Sequence, residues 1–261
     1  MAIGIGSDRT WETYGAEDPY FGVLTDPRFH ASEMTAQRRA EFFATGTVHV
    51  GKVLETIRQR LDHGFQPRRA LDFGCGVGRI ALPLARVCAH VTGVDISPSM
   101  LREAGENARQ AGLANIEWLL SDNRLSRVPG RFDLVHSYIV LQHLPRAATE
   151  SVLRQLLDRV EENGVAAVHL LYQRRESPAR ALAYWARREV PLVDRMLRLV
   201  RGAGAAPRLM QMNPTRLAPL FESLQAGGFG RVYVEFSDHG NAHTSVPGVF
   251  VFARRTPGLG W

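Results

Sequence analysis

A run of alternating glycines near two acidic residues is the part of this sequence best suited to bind a ligand. The motif D-x-G-x-G-x-G follows an apolar segment and consists of Asp72, Gly74, Gly76 and Gly78. Glycine permits backbone angles that are closed to other residues, and it lets a ligand lie directly against the main chain. A second apolar segment ends on Asp95, and an acid at this distance from a glycine loop can hold ribose hydroxyls. The pattern predicts a site for a cofactor that contains adenosine.

The segments around this motif have the periodicities of a strand, a helix and a second strand. Residues 69–73 form a short apolar run, as expected of a buried parallel strand. Residues 79–87 have apolar side chains at helical spacing, and residues 90–94 form the second apolar run. Strand, glycine loop, helix, strand and acid together are the nucleotide-binding unit of α/β proteins.

The spacing of the glycines departs from the dinucleotide fingerprint G-x-G-x-x-G, in which a pyrophosphate lies at a helix N-terminus. The carboxylate of Asp72 at the end of the strand suits a ligand that carries an ammonium and a sulfonium. The motif resembles the first motif of the class I S-adenosylmethionine-dependent methyltransferases. The resemblance implies an α/β fold with a Rossmann-like, seven-stranded, mostly parallel sheet and an antiparallel last strand. It also implies S-adenosyl-L-methionine as the cofactor.

Two later segments match the same family. Residues 132–135 read Phe-Asp-Leu-Val, and the turn after this predicted fourth strand ends in His-Leu-Pro at 143–145. This combination resembles the fourth motif of small-molecule methyltransferases. The predicted strands at 231–236 and 249–254 resemble the antiparallel pair that closes the methyltransferase sheet. The resemblance covers roughly residues 65–255.

The resemblance places the cofactor at the ends of the first four predicted strands. It puts Asp122 beside the adenine amine, and it puts Ser137 and Tyr138 beside the transferred methyl group. A loop carboxylate that caps a turn is the alternative interpretation of Asp122. The predicted cofactor-binding residues are Asp72, Gly74, Cys75, Gly76, Gly78, Asp95, Ile96, Met100, Asp122, Asn123, Ser137 and Tyr138.

His143 is the candidate catalytic residue. Methyl transfer from a sulfonium mainly requires alignment of nucleophile, carbon and sulfur. A general base helps when the nucleophile is a hydroxyl, because its proton must leave. A free imidazole titrates near neutrality, and His143 follows the fourth strand, although a histidine in this turn could instead cap the next helix. We find no H-E-x-x-H or paired C-x-x-C motif, so no metal is predicted.

The sequence divides into three predicted parts. These are a helical N-terminal leader or lid at 1–66, a cofactor-binding core at 67–171 and 214–255, and a helical insertion at 172–213. Four aromatic residues from the leader and the insertion are predicted to contact the acceptor substrate, namely Trp11, Tyr14, Tyr172 and Trp185. The insertion also offers Met210 and Met212 for an apolar pocket.

Local patterns predict the secondary structure of the less regular segments. Residues 1–30 are rich in aromatic side chains and turns, and they are interpreted as a strand-like or coiled arm or, alternatively, as a lid over the cofactor. Residues 32–61 are helical with a predicted break near 45–47. The last core helix is predicted at 214–226, with Asn213 as its cap.

Composition limits the class of protein. With 261 residues, 45% of them hydrophobic and 22% charged, the chain suits one globular α/β domain with an elaboration. No transmembrane segment or signal peptide is indicated, and two cysteines suggest free thiols in a reducing cytoplasm. The net charge of +6 raises nucleic acid as a partner, but scattered arginines are more typical of a solvated surface.

The leading functional hypothesis is a cytoplasmic small-molecule methyltransferase that acts on a hydroxyl oxygen of a sugar or secondary metabolite. The small molecule is its expected partner, with no membrane partner, and the protein is expected to be a monomer or homodimer. One alternative is an RNA or protein methyltransferase, although no N-P-P-Y-type tetrapeptide follows the fourth strand. Another alternative is a non-catalytic sensor domain that binds the cofactor.

Overall fold

The computed structural model describes residues 5–122, 124–190, 193, 196, 210–238, 245–256 and 258. Within them a seven-stranded sheet forms the centre of the fold. Its strands are β1 (Arg69–Phe73), β2 (His90–Asp95), β3 (Ile116–Leu120), β4 (Phe132–Ser137), β5 (Val160–Leu171), β6 (Arg231–Asp238) and β7 (Pro247–Arg254).

The strand order is β3-β2-β1-β4-β5-β7-β6. Strands β1 to β5 pair in parallel, and β7 runs antiparallel to both β5 and β6. The predicted Rossmann-like sheet with one antiparallel strand is therefore confirmed. The chain reverses its direction of growth between β1 and β4, and ligands of open α/β sheets bind at the carboxyl ends of the strands beside such a switch point.

Helices cover the two faces of the sheet and extend along one side of it. They are α1 (Ile5–Glu17), α2 (Pro19–Val23), α3 (Ala36–Arg60), α4 (Ala81–Ala85), α5 (Pro98–Gln110), α6 (Arg146–Asp158), α7 (Pro178–Glu189) and α8 (Leu217–Ala226). Short 3-10 helices occupy Pro27–Phe29, Ala31–Glu33 and Leu141–His143. In the part of the chain that the structure describes, no helix combines the length and apolarity needed to cross a membrane.

Apolar side chains fill a layer on each face of the sheet. One layer joins β1, β4 and β5 to α6 and α8 through residues such as Leu156 and Leu220. The other joins the opposite face to α3 and α4 through residues such as Ile57 and Leu84. These strands are buried on both faces, which explains why their sequences are continuous apolar runs.

The first segment of the chain is helical, so the prediction of a strand-like or coiled arm is wrong. Helix α1 packs against the start of α5. The carboxylate of Glu12 accepts hydrogen bonds from Ser97 Oγ (2.7 Å), Ser99 N (3.1 Å) and Ser99 Oγ (2.6 Å). A carboxylate at a helix N-terminus binds unpaired amides and interacts favourably with the helix dipole. The leader is thus joined to the core at the helix that follows Asp95.

Helix α3 is continuous from Ala36 to Arg60, so the predicted break near 45–47 is also wrong. Gly46 lies inside the helix, and its surface contacts the backbone of Arg79. The glycine therefore permits close packing of the helix on the loop after β1, rather than ending the helix.

The last core helix starts later than predicted, at Leu217, with Arg216 as its N-cap residue. Asn213 instead ties the approach to this helix to the turn after β4. Its backbone N–H donates to Gln142 O (2.7 Å), and its Nδ2 donates to Leu144 O (3.0 Å). These bonds satisfy main-chain groups in the turn, which explains the asparagine at this position.

The close packing of α3 leads to a testable prediction. We expect Gly46→Ala to destabilise the protein by about 2 kcal/mol or more, because the new Cβ would lie 1.9 Å from the carbonyl oxygen of Arg79. Gly51 lies in the same helix, and a Cβ added there would have no heavy atom within 4 Å. Gly51→Ala should therefore stabilise the protein by about 0.5–1 kcal/mol. Urea denaturation of both variants measures the difference, and similar effects of the two substitutions would contradict it.

Candidate active site

A cavity of about 500 Å³ opens at the carboxyl ends of β1, β2 and β4. This volume is typical of pockets for small molecules and cofactors. The strand ends and their loops form its floor, and the leader forms one wall through residues that include Asp8, Trp11 and Val23. Met210 and Met212 line another part of the cavity, as expected of the insertion.

The glycine loop supplies bare main chain to the cavity. The backbone φ angles of Gly74, Gly76 and Gly78 are 75°, 51° and 87°, in the region that favours glycine. Gly74 and Gly76 line the cavity. Gly78 lies behind it, and a Cβ there would meet Leu82 Cδ1 at 2.5 Å. The three glycines thus have two roles, which are exposure of the main chain and close packing of the next helix.

Asp95 is held rigidly at the end of β2. Its Oδ2 accepts from Gly76 N (2.9 Å), and its Oδ1 accepts from Ser97 N (2.9 Å). Burial raises the pKa of Asp95, while these backbone donors lower it. Each carboxylate oxygen can accept more than one hydrogen bond. The carboxylate can therefore still accept hydrogen bonds from the hydroxyl groups of a ligand in the cavity.

Asp72 and Arg79 place opposite charges in the same cavity. The Asp72 side chain is buried, and its Oδ1 lies 2.9 Å from His136 Nδ1. Its Oδ2 is buried without a hydrogen-bond partner among the described residues. Arg79 NH1 donates to Thr45 Oγ1 (3.4 Å), and its buried Nε is likewise unpartnered in the described part of the chain. Unsatisfied buried groups cost free energy that a ligand of matching charges can recover.

His143 occupies the 3-10 turn after β4. Its Nδ1 donates to Gln211 O (2.6 Å), since a carbonyl can only accept, and its ring centroid lies 4.8 Å from that of Trp11. Burial lowers the pKa of His143 to about 4, although the carbonyls of Gln211 and Ile139 partly oppose this effect. The ring is therefore neutral at neutral pH. The next helix begins after Pro145 without a side-chain cap, so His143 is not a helix cap.

The backbone between β4 and this turn is strained. Ile139 lines the cavity with a φ angle of 60°, a conformation that is rare for a β-branched residue. Such a residue costs about 1–3 kcal/mol and is found mainly at functional sites. The strained residue lies in the turn that joins β4 to His143, and this turn lines the cavity.

Most of the predicted site residues come together around this cavity. The predicted residues that line it are Trp11, Asp72, Gly74, Cys75, Gly76, Asp95, Ile96, Met100, Tyr138 and His143.

Cys75 and Cys88 are both free and buried. Burial raises the pKa of the Cys75 thiol, and the nearby carboxylates of Asp95 and Asp72 raise it further. The thiol is therefore protonated and unsuited to act as a nucleophile.

Asp122 and Ser137 do not line the cavity. Asp122 is exposed, and its carboxylate accepts from Arg124 N (3.0 Å), Ser126 N (3.2 Å) and Ser126 Oγ. This arrangement matches the alternative interpretation of a turn cap. Ser137 is fully buried and donates to Phe73 O (3.1 Å), which links β4 to β1. The position of Asn123 lies outside the described residues.

The predicted substrate-binding aromatics are only partly at the cavity. Trp11 lines it. Tyr14 is buried behind Trp11, with its ring 5.9 Å away. Tyr172 packs against the hydrophobic core, and Trp185 on α7 is 55% exposed. The acceptor role of the last three residues therefore has no support from their positions.

Several cavity residues were not predicted from the sequence. They include Arg79, His136 and Gln142. Arg79 directly follows the glycine motif, so its proximity could have been inferred. His136 and Asp72 are register partners on neighbouring strands, and this pairing appears only when the sheet is formed. Gln142 is almost fully buried, and its amide has no partner in the described structure.

Solved structures share this fold. The magnesium protoporphyrin IX methyltransferase of Synechocystis PCC 6803, solved with bound S-adenosylmethionine, superposes with a TM-score of 0.58 and 17% identity, over 98% of this chain and 100% of that one. This likeness concerns the fold, because the identity is low. Together with the sheet order, it defines the fold as that of the class I S-adenosylmethionine-dependent methyltransferases.

Sequence comparison identifies relatives of the central part of the chain. Residues 70–164 match the family model described as "Methyltransferase domain". The ubiquinone biosynthesis O-methyltransferase of Ralstonia nicotianae is 36% identical over 98 residues, 37% of this chain and 40% of the relative. The 23S rRNA (uracil(1939)-C(5))-methyltransferase of Hahella chejuensis is 35% identical over 91 residues, 33% of this chain and 20% of the relative.

The chain thus spans less than half the length of these curated relatives. Residues 70–164 match the methyltransferase domain model. This match and the sheet order agree with the predicted class I S-adenosylmethionine-dependent methyltransferase, and the predicted fold is confirmed.

The buried neutral histidines predict how stability depends on pH. The pKa values of His49 and His143 are lowered to about 2 and about 4, mainly by burial, whereas the unfolded chain titrates near 6.5. Between about pH 6.5 and 4 the unfolded chain binds more protons, so the free energy of unfolding falls as the pH falls. Each histidine contributes a slope of up to about 1.4 kcal/mol per pH unit.

Urea unfolding of wild type and His143→Phe across this pH range tests the contribution of one histidine. In the variant the free energy of unfolding should depend less steeply on pH, because up to about one proton fewer is taken up on unfolding. His63 is exposed, so His63→Phe should keep the wild-type slope. If His143→Phe kept it as well, the buried neutral state of His143 would be refuted.

Proposed function

We propose that this protein is an S-adenosylmethionine-dependent methyltransferase that transfers a methyl group to a hydroxyl oxygen of a small molecule. The observation that carries the proposal is a single cavity that combines a bare glycine loop with the carboxylates of Asp72 and Asp95 and the buried cation of Arg79. The cofactor, when bound, would supply an activated methyl group on a sulfonium. The chain's own residues bind and orient the reactants.

Asp95 is the proposed partner of the cofactor ribose. Gly76 N and Ser97 N hold its carboxylate toward the cavity, so it can accept from the two ribose hydroxyls without moving. An acid at the end of the second strand has this role in nucleotide-binding α/β folds. The adenine would then lie toward β3, where Ser121 lines the cavity. The predicted adenine contact of Asp122 and the predicted cofactor contact of Asn123 stay proposals.

Asp72 and Arg79 are the proposed receptor for the amino-acid end of the cofactor. A methionine group carries an ammonium and a carboxylate. The unpartnered Asp72 Oδ2 can accept from the ammonium, and the unpartnered Arg79 Nε can donate to the carboxylate. Charge-assisted hydrogen bonds of this kind are the strong ones in proteins. A pyrophosphate would instead place negative charge against Asp72.

The leader is proposed to act as a fixed cover of the reaction site. Trp11 and Val23 line the cavity from this side, and Glu12 anchors the leader to α5. A covered site excludes water and strengthens the electrostatic interactions inside it. The described positions of Met210 and Met212 support a similar role for the insertion as a wall of the acceptor site.

His143 is the proposed general base for a hydroxyl acceptor. The oxygen of the acceptor attacks the methyl carbon as its bond to sulfur breaks, and the hydroxyl proton must then pass to a base. His143 is neutral at neutral pH, and because its Nδ1 donates to Gln211 O, its Nε2 is the nitrogen that can accept a proton. It lines the cavity after β4. Trp11 packs against its ring, which restricts its orientation.

The amino-acid receptor gives a prediction about binding. Arg79→Met should weaken S-adenosylhomocysteine, the demethylated cofactor, by about tenfold or more, because one charged hydrogen bond is lost. The affinity for 5′-methylthioadenosine, which has no amino-acid group, should not change. Arg109 is exposed on α5, so Arg109→Met is the matched control and should bind both ligands normally. Calorimetry measures all four affinities, and equal losses for both ligands in Arg79→Met would contradict the assignment.

The role of His143 gives a prediction about turnover. His143→Ala should lower kcat by about 100-fold or more, the range typical of a lost general base, with unchanged affinity for S-adenosylhomocysteine. In the wild type, the rate should stay flat between pH 6 and 8, because the pKa of about 4 lies well below this range. Near-full turnover by the variant at neutral pH, with normal acceptor binding, would exclude the base.

Transfer itself is tested by incubating the protein with methyl-labelled cofactor and either a low-mass metabolite extract or total RNA and protein. Label in a low-mass product is the expected result. Label only in RNA or protein would replace the small-molecule acceptor with a macromolecular one. Tight binding of the cofactor without transfer in any fraction would instead favour a sensor domain.

A further inference from the structure

The carboxylate of Asp72 is the end of a chain of side chains that runs from the buried sheet to the partly buried His49 on helix α3. Asp72 on β1 and His136 on β4 are register partners in adjacent parallel strands. Asp72 Oδ1 lies 2.9 Å from His136 Nδ1, and both side chains are almost fully buried. His136 Nε2 lies 2.9 Å from Nε2 of His49, in the middle of α3. Of these three residues only Asp72 belongs to the glycine motif, and the proposed base His143 is not part of the chain.

The two contacts restrict where the protons are. Only one of the facing Nε2 atoms can carry the proton in the contact between His49 and His136. If a neutral His136 carried its proton on Nε2, its bare Nδ1 would face the carboxylate of Asp72 and repel it. A neutral His136 must therefore carry its proton on Nδ1, and His49 must donate from its Nε2.

The alternative is a doubly protonated His136, with His49 as the acceptor. That state would form an ion pair with Asp72 and neutralise the carboxylate. The His136 side chain is only 2% exposed, and a charge removed from water is costly even when it is paired. His49 itself stays neutral, because burial and the basic groups around it (His136 on β4, Arg79 after β1, His169 on β5 and Lys52 on α3) lower its pKa to about 2. Asp72 is the acid at the far end of the chain.

We propose that His49 is a positioning residue that holds His136 as the neutral Nδ1–H tautomer and thereby keeps the charge of Asp72 available for a ligand cation. The hydrogen bond from His136 orients the carboxylate through Oδ1, and Oδ2 remains for the ammonium group of the cofactor. This inference rests on the proposed function of the cavity. It assigns to α3 of the leader a direct part in cofactor binding.

The protonation states can be measured directly. In protein labelled with 15N-histidine, long-range proton–nitrogen NMR spectra distinguish protonated from unprotonated ring nitrogens. At pH 7.5 we expect His136 to be protonated on Nδ1 only and His49 to be protonated on Nε2. Single substitutions assign the signals. A doubly protonated His136, or a His136 protonated only on Nε2, would overturn the proposal even if no variant were informative.

Variants of His49 test the consequence for binding. His49→Phe removes the donor, whereas the amide of His49→Gln can place an N–H near the position of Nε2. We expect His49→Phe to bind S-adenosylhomocysteine about tenfold more weakly, and we expect His49→Gln to recover most of this loss. Binding of 5′-methylthioadenosine should be unchanged in both variants, because it lacks the ammonium group. His63→Phe, at an exposed position, is the control for the substitution.

The outcomes separate this proposal from the proposed function. If wild-type protein binds neither ligand in calorimetry, the proposed function fails. If it binds S-adenosylhomocysteine but His49→Phe has no effect, or weakens both ligands equally, the positioning role is refuted and the proposed function stands. If His49→Phe does not fold, the affinities of His49→Gln and the tautomers of the wild-type protein still test the proposal. Absence of the Nδ1–H tautomer of His136 in the wild type would refute the positioning role.

Discussion

A buried carboxylate is the constraint on which the site depends. Asp72 lies inside the sheet, and a charge there is tolerated only when other groups compensate its loss of water. His136 supplies one hydrogen bond to Oδ1, while Oδ2 has no partner within the described structure. The fold therefore holds a partly satisfied anion next to the bare main chain of the glycine loop. A cationic ligand would supply the missing partner of Oδ2. The unfavourable free energy of the unpaired oxygen would then be removed, and this removal would favour binding.

The compensation requires elements that are distant in the chain to meet. The His136 side chain depends on the register of β4 with β1, and His49 depends on the packing of α3. Gly46 allows that helix to approach the backbone of Arg79. The side chain of Arg79 donates a hydrogen bond to Thr45, the residue before Gly46 in the same helix. The leader is thus part of the site rather than an appendage. The same helix that covers one face of the sheet also supplies Thr45 to the wall of the cavity.

The acceptor side of the cavity is organised differently. It is formed by the turn after β4, by Trp11 and by the methionines of the insertion, with fewer charges. Ile139 has a strained backbone that brings this turn back toward the glycine loop. Asn213 ties the insertion to the same turn through the main chain of Gln142 and Leu144. The proposed cofactor receptor is therefore polar, whereas the proposed acceptor site in the same cavity is more apolar.

The sequence by itself determined the sheet, the glycine loop and several of the residues that line the cavity, because these depend on local periodicity and on residue types at short spacing. Asp72, Asp95 and His143 were recognised in this way. It did not predict the unbroken α3, since a glycine that permits close packing is indistinguishable in sequence from one that ends a helix. It left two interpretations of Asp122 open, of which the structure matches the turn cap, and it did not predict that Trp185 is exposed. Only the tertiary structure decided the chain from Asp72 through His136 to His49, because these hydrogen bonds join residues 64 and 87 positions apart, and such contacts depend on strand register and helix packing.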